Sequence, residues 1–209
     1  MDIETAAGAS RDRLGFAPVV SEEFDFLRGL GLRLVELGNT FARYESDRRF
    51  VLVFHGRASY ELGVEIGRWI EIDGLRREQA FPLRDVVALS RDPREVGFGE
   101  TSATTSEAVA SFIPKLARWT REFALPLLRD GDDLFDRLSE TNAARGRAER
   151  AELAAARLRA RANDAWRAKD YKTVVTAYRE IANGRPSVEM TASELGRLRV
   201  ALRVLGEEW

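Results

Sequence analysis

The feature that most constrains the fold of this chain is a run of strict alternation that ends at Gly67. Apolar side chains alternate along it with glutamates and glycines, in the order Tyr60, Glu61, Leu62, Gly63, Val64, Glu65, Ile66 and Gly67. Successive side chains of a strand point to opposite faces, so this run predicts a strand with one buried face and one open face. Two carboxylates lie on the predicted open face.

Three shorter apolar runs precede this strand and are separated by short polar connections. They occupy residues 32–37, 41–45 and 50–54. Connections of hairpin length favour an antiparallel meander. Residues 69–73 are a candidate extension, so we predict four to five strands.

Helical periodicity replaces the period of two after Pro82. Ser106 begins a long amphipathic pattern that continues to Leu128 and is expected to cover the buried face of the sheet. Pro114 and Pro126 each remove a backbone donor, so we expect a kink or a break near both. The fold class is therefore α+β, an antiparallel β-meander covered by helices and followed by an all-α helical hairpin unit.

The charge balance changes near residue 135. Residues 1–135 carry 18 basic and 23 acidic residues, whereas residues 136–209 carry 15 and 11 and are rich in Ala and Arg. We predict three regions: a flexible arm at 1–20, an α+β domain at 21–135, and a helical domain at 136–209 with a hairpin over 155–188 and a capping helix. In the arm, Pro18 is expected to block a helix, and Ser21 is expected to cap the first one.

The composition excludes several chemistries. The chain has no Cys and one His, His55, which excludes thiolate catalysis, cysteine metal sites and multi-histidine metal centres. His55 and Ser59 lack the nucleophile elbow of a hydrolase, and capping explains the Asp residues near position 132 without a metal. We therefore predict no enzymatic activity and no cofactor.

No sequence signal directs the chain to a membrane or out of the cell. No apolar segment reaches the roughly 20 residues that span a bilayer. The acidic start, Met1–Glu4, lacks the features of a secretory signal. Cytoplasmic localisation and no membrane partner are the resulting expectations.

Residues 162–186 resemble one tetratricopeptide unit. The matching positions are Ala165, Trp166, Asp170, Tyr171, Val174, Tyr178 and Pro186. The resemblance implies two antiparallel helices joined by a turn, although Lys169 stands where the family has its turn glycine. A generic αα-hairpin is the alternative, because tetratricopeptide folds usually stack three or more repeats.

The N-terminal part is similar to small uncharacterised bacterial domains, some of them immunity proteins of toxin systems. The similar regions are an N-terminal helix, the meander with Tyr44–Ser46 and Tyr60–Gly67, and the helix from Leu116 to Asp132. The resemblance implies a non-enzymatic inhibitor that covers the basic active-site cleft of a toxin.

We expect the open sheet face to contact another protein. The candidate partner-binding residues are Arg43, Tyr44, Glu45, Glu61 and Glu65. Four strand steps would place Glu61 and Glu65 about 13 Å apart, too far for a catalytic carboxylate pair. Such an acidic face favours a basic partner.

An arginine-rich helix offers an alternative function as a nucleic-acid-associated regulator. Its candidate residues are Arg145, Arg147, Arg150, Arg157 and Arg161. Arg outnumbers Lys 30 to 3 in the whole chain, so the enrichment is general, and nucleic acid is the disfavoured partner. The apolar stripe of the final helix could pack against the rest of the chain or against a second copy in a homodimer, and the sequence leaves both alternatives open.

Overall fold

The computed structural model describes residues 13–56, 58–99, 102–184 and 186–207. The chain divides between Leu138 and Ser139 into two compact units. This boundary lies inside one long helix, as does the predicted boundary after residue 135.

A five-stranded antiparallel sheet forms the centre of the first unit. Its strands are β1 (Arg33–Leu37), β2 (Phe41–Glu45), β3 (Arg49–His55), β4 (Leu62–Ile72) and β5 (Leu75–Pro82). Strands adjacent in the chain are adjacent in the sheet, which confirms the predicted meander and the α+β class. The candidate extension at 69–73 is not a separate strand, because residues 69–72 continue β4. Asp73 and Gly74, both with positive φ, join β4 to β5, the conformation that two-residue hairpin turns require.

The strand β4 begins two residues later than the alternation predicted. Tyr60 has a φ of 54°, in the left-handed region, and Glu61 forms only an isolated bridge with Ser102. Because the chain turns at Tyr60, Glu61 belongs to the loop that leads into β4.

Helices cover the buried face of this sheet. They are α1 (Phe16–Glu23), a 3₁₀ helix (Asp25–Leu30), α2 (Leu83–Ala88), α3 (Ser106–Trp119), a π-helical segment (Thr120–Ala124) and α4 (Leu125–Arg129). Val109, Ile113 and Leu116 of α3 share one core with Val51 and Ile66 of the sheet. This core confirms that the long amphipathic helix packs on the sheet.

The helix α1 corrects the expectation of a flexible arm over residues 1–20. Residues 1–12 lie outside the described residues, but Phe16 and Val20 are buried in the core. Pro18 is the third residue of α1, where a backbone N–H has no helical acceptor, so it does not block the helix. Ser21 lies inside α1 instead of capping it.

The two prolines of the long helical region have different effects. The helix α3 continues through Pro114 to Trp119, so the expected break there does not occur. Near Pro126 the hydrogen-bond pattern widens into the π-helical segment before α4 begins. A proline ring clashes with the preceding helical turn, and a wider turn gives it room.

The second unit is helical. It contains most of α5 (Asp132–Arg167), followed by α6 (Tyr171–Ala182) and α7 (Ala192–Leu205). Ala162 of α5, Tyr178 of α6 and Leu198 of α7 are buried in a common core.

The turn between α5 and α6 has the backbone of a glycine turn without the glycine. Lys169 adopts a φ of 57° there, the conformation that a glycine adopts without strain. Asp170 then caps α6, because its side chain accepts a hydrogen bond from the Thr173 N–H at 3.1 Å. A helical hairpin follows from this turn.

Candidate functional site

Tyr44 is a core residue, so its placement on the partner-binding face was wrong. It lies opposite Val51 on the buried side of the sheet, is 1% exposed, and donates a hydrogen bond to the Val20 carbonyl at 3.2 Å. Burial raises the pKa of Tyr44 to about 12. Its neighbours Arg43 and Glu45 lie on the other face because side chains alternate along a strand.

At one end of the open face, Arg43 pairs with two carboxylates of the sheet. Arg43 donates to Glu45 at 2.9 Å and to Glu78 at 2.8 Å. Its guanidinium also lies 4.7 Å from the centroid of the Phe50 ring and 5.5 Å from that of Trp69. We call these five residues the Arg43 cluster; its charges stabilise the sheet and are satisfied internally.

Two glycines of β4 lie beneath aromatic rings of β3. Gly67 is paired with Phe50 and Gly63 with Phe54. A Cβ atom at either glycine would overlap the ring above it. The absence of a side chain on β4 therefore lets both rings lie close against the open face.

At the other end of this face lies a cleft of about 490 Å³. The side chains that define its chemistry are Phe54, Glu61, Glu65, Arg84, Arg94 and Phe98. We call it the Glu65 cleft. Its volume lies in the range of small-ligand sites, and its mixture of apolar walls and few charged groups is typical of them.

The four charged side chains of the Glu65 cleft do not neutralise one another. Glu61, Arg84 and Arg94 are exposed, and Glu65 is half-buried. Among the residues that the structure describes, none of the four forms an ion pair. Their charges are therefore accessible to a ligand.

The carboxyl group of Glu65 is in an unfavourable environment for a charge. Its strand neighbours are Leu52 and Pro82. Burial, together with the negative charge of Glu78, raises the pKa of Glu65 above its ordinary value. A cation bound in the cleft would offset this cost.

The structure brings together only two of the five predicted partner-binding residues. Glu61 and Glu65 line the cleft, whereas Arg43 and Glu45 belong to the Arg43 cluster. Sequence reasoning missed Arg84, at the start of α2, and the following loop with Arg94 and Phe98. No local pattern marks these residues, because they reach the cleft only through the pairing of β5 with β4.

The predicted arginines of the second candidate site are exposed on α5. With about 3.6 residues per turn, four of them fall within about 80° around the helix axis: Arg147, Arg150, Arg157 and Arg161. We call them the arginine stripe. Within the described residues they form no ion pair, whereas Arg145 lies on the opposite side of the helix.

Two of the acidic residues near position 132 form ion pairs that serve the fold. Asp132 accepts hydrogen bonds from Arg49 at 2.6 Å and Arg48 at 2.8 Å, and Asp136 accepts one from Arg68 at 2.5 Å. In the described ranges, no three His, Asp or Glu side chains cluster as metal ligands would.

The remaining candidates carry no site. His55 is buried, with Nε2 2.8 Å from the Ala103 carbonyl oxygen, which is a structural role.

None of the helices in the described part has the length and apolar character needed to cross a membrane.

Comparison with known proteins leaves the Glu65 cleft to be interpreted from its own chemistry. Neither protein-family models, nor curated proteins, nor solved structures give a significant match to this chain. Among the described residues that line it, the cleft has two carboxylates, two guanidinium groups and two aromatic rings, and its function depends on what these groups can bind.

Proposed function

We propose that this chain is a non-enzymatic protein-interaction module whose contact surface is the Glu65 cleft and its rim. The observation that carries the proposal is the set of four charged side chains that line one cleft and form no ion pair among the described residues, whereas Arg43, at the other end of the same sheet face, pairs with Glu45 and Glu78. Charges that do not serve the fold are available to a partner.

The aromatic side chains of the cleft lining also favour a protein partner. Phe54 and Phe98 are half-buried and border the cleft, and aromatic side chains surrounded by polar groups are typical anchors of interfaces. The resemblance of the N-terminal part to toxin-immunity proteins implies an inhibitor that covers a basic active-site cleft. An inhibitor of that type would present Glu61 and Glu65 to its target.

Charge reversal tests this proposal. A tagged chain is used for pull-down from the native host lysate with nuclease present, as the natural sequence and as the Glu61→Lys/Glu65→Lys double variant. The matched control is Glu22→Lys/Glu36→Lys, which changes the net charge equally at exposed positions outside the cleft. We expect a stoichiometric protein partner that the control retains and the cleft variant loses. Retention by both variants would contradict the proposal.

The arginine stripe supports a second candidate function, nucleic-acid binding through α5. Four unpaired guanidinium groups on one helix face, over about 21 Å, match the repeated charges of a phosphate backbone. Four phosphate contacts predict a log–log salt slope of about −3.6 for duplex DNA.

Fluorescence anisotropy with labelled duplex DNA tests this second function. We expect Arg150→Glu/Arg157→Glu to abolish binding and the exposed α7 control Arg199→Glu/Arg203→Glu to retain it. Equal loss in both variants, or no binding by the natural chain, would refute it.

A further inference from the structure

We infer that the Glu65 cleft binds a lysine or arginine residue that ends in a free α-carboxylate. The inference deepens the proposed function where that residue is the C-terminus of a partner protein. It starts from the charges of the described lining residues, which are two carboxylates and two guanidinium groups.

The charges of each sign come from different parts of the fold. Glu61 and Glu65 flank Gly63 at the start of β4, whereas Arg84 belongs to the first turn of α2 and Arg94 to the following loop. A ligand with one charge would match only one of these pairs and leave the other without a counter-charge. A ligand with one cationic and one anionic group matches both pairs.

Apolar side chains supply much of the remaining cleft lining. Phe54 and Phe98 line the cleft together with Pro82 and Leu83, and Gly63 adds only backbone to its floor. The aliphatic stems of lysine and arginine pack on apolar surfaces while their charged ends reach polar groups. A guanidinium or ammonium group also interacts favourably with an aromatic face.

The size and donor chemistry of the cleft limit the ligand further. A volume of about 490 Å³ holds one amino-acid residue and a short continuation, but no folded element. Arginine guanidinium groups bind carboxylates in a bidentate manner, which assigns the carboxylate to Arg84 and Arg94 and the cation to Glu61 and Glu65.

Isothermal titration calorimetry with four small probes tests the assignment. Nα-acetyl-lysine and Nα-acetyl-arginine carry both charges, Nα-acetyl-lysine amide lacks the carboxylate, and Nα-acetyl-norleucine lacks the cation. We expect the first two to bind and each of the others to bind about tenfold more weakly. No binding of the first two, or equal binding of all four, would overturn the inference.

A ligand of this chemistry could be a free amino acid or the C-terminus of a partner protein, and two further probes distinguish these sources. Free L-lysine represents a metabolite, and the peptide acetyl-Ala-Ala-Lys represents a protein C-terminus. Tighter binding of the peptide supports a partner terminus, and tighter binding of free lysine supports a free amino acid; both support the inferred chemistry.

Charge variants assign each half of the ligand. Glu65→Gln should weaken binding of Nα-acetyl-lysine about tenfold and leave Nα-acetyl-norleucine unchanged, whereas Arg84→Ala should spare the lysine amide. Glu71→Gln and Arg91→Ala, at exposed positions that do not line the cleft, are the matched controls. Equal effects of a cleft variant on all probes would contradict the assignment.

Failure of the inference and failure of the proposed function give different results. If no probe binds but partner capture still depends on Glu61 and Glu65, the inference is wrong and the proposed function stands. If the probes bind but charge reversal leaves partner capture unchanged, the cleft is a small-ligand site and the proposed function is wrong.

Discussion

The two ends of the open sheet face contain the same kinds of residue in opposite arrangements. In the Arg43 cluster, one guanidinium serves two carboxylates and covers Phe50, which is 1% exposed. In the Glu65 cleft, two guanidinium groups and two carboxylates remain apart beside the half-buried ring of Phe54. The difference separates charges that maintain the fold from charges that are available for binding.

The largest expected change in stability comes from substituting the two glycines beneath these rings. Gly67→Ala should lower the free energy of unfolding by about 3 kcal/mol, because the Phe50 ring that meets the new Cβ is buried beneath Arg43 and has little room to shift. Gly63→Ala should cost about 1 kcal/mol or less, because Phe54 borders an open cleft and its ring can shift. Urea denaturation of both variants measures this difference.

A third glycine variant provides the control for this comparison. A Cβ at Gly29 would meet no atom within 4 Å, so Gly29→Ala should stay within about 0.5 kcal/mol of the natural chain. Equal losses at positions 63 and 67 would show that the two ends of the face are packed alike.

A smaller effect is expected from the arginines. Arg43→Ala removes two ion pairs and the cover of two aromatic rings, so it should cost about 2 kcal/mol of stability. Arg84→Ala removes an exposed side chain without an ion pair and should change stability by less than about 0.5 kcal/mol. Thermal unfolding followed by circular dichroism measures the stability of both variants. A comparable loss of stability in Arg43→Ala and Arg84→Ala would contradict the difference between the Arg43 cluster and the Glu65 cleft.

Glu65 is expected to make a small, pH-dependent contribution to stability. Burial, with a contribution from Glu78, raises its pKa in the folded state, so the stability it contributes at low pH is lost as the pH rises through that pKa. Glu65→Gln should therefore be slightly more stable than the natural chain at neutral pH, by less than about 1 kcal/mol because the group is half-exposed. The two chains should converge below about pH 4.

The pKa of Asp132 is shifted in the opposite direction to that of Glu65, so its contribution to stability has the opposite pH dependence. Burial acts to raise its pKa, but the hydrogen bond from Arg49 and the charges of Arg49, Arg48 and Arg68 outweigh burial and lower it. The stability from this carboxylate is present at neutral pH and lost as the pH falls through its lowered pKa. Asp132→Asn should therefore destabilise by about 1 kcal/mol at pH 7, reduced by solvent screening, and have no effect in acid. The same sign for both variants in urea denaturation would contradict this account.

The sequence was sufficient for elements whose pattern is local. The alternation through Leu62, Val64 and Ile66 predicted β4 and placed Glu65 on the open face, as observed. Side chains alternate between the two faces along a strand, so Tyr44 must lie on the face opposite Arg43. The burial of Tyr44 could therefore have been predicted from this alternation.

Elements without a local pattern were missed. The strand β5 is exposed along most of its length, so it shows no alternation, although the Asp73–Gly74 turn signals a hairpin. Arg84 and Arg94 join the cleft only because Pro82 is paired with Glu65 across β4 and β5. Such a site is set by tertiary pairing, and residue spacing along the chain does not reveal it.

The paired rings and glycines of β3 and β4 also restrict how this sequence can evolve. Residue 67 can acquire a side chain without strain only where residue 50 has become smaller, and a weaker form of the same dependence links residues 63 and 54. In an alignment of homologous chains, each pair should therefore vary together. The pair at 54 and 63 should vary more freely, because its ring borders a cleft whose shape can follow a change of ligand.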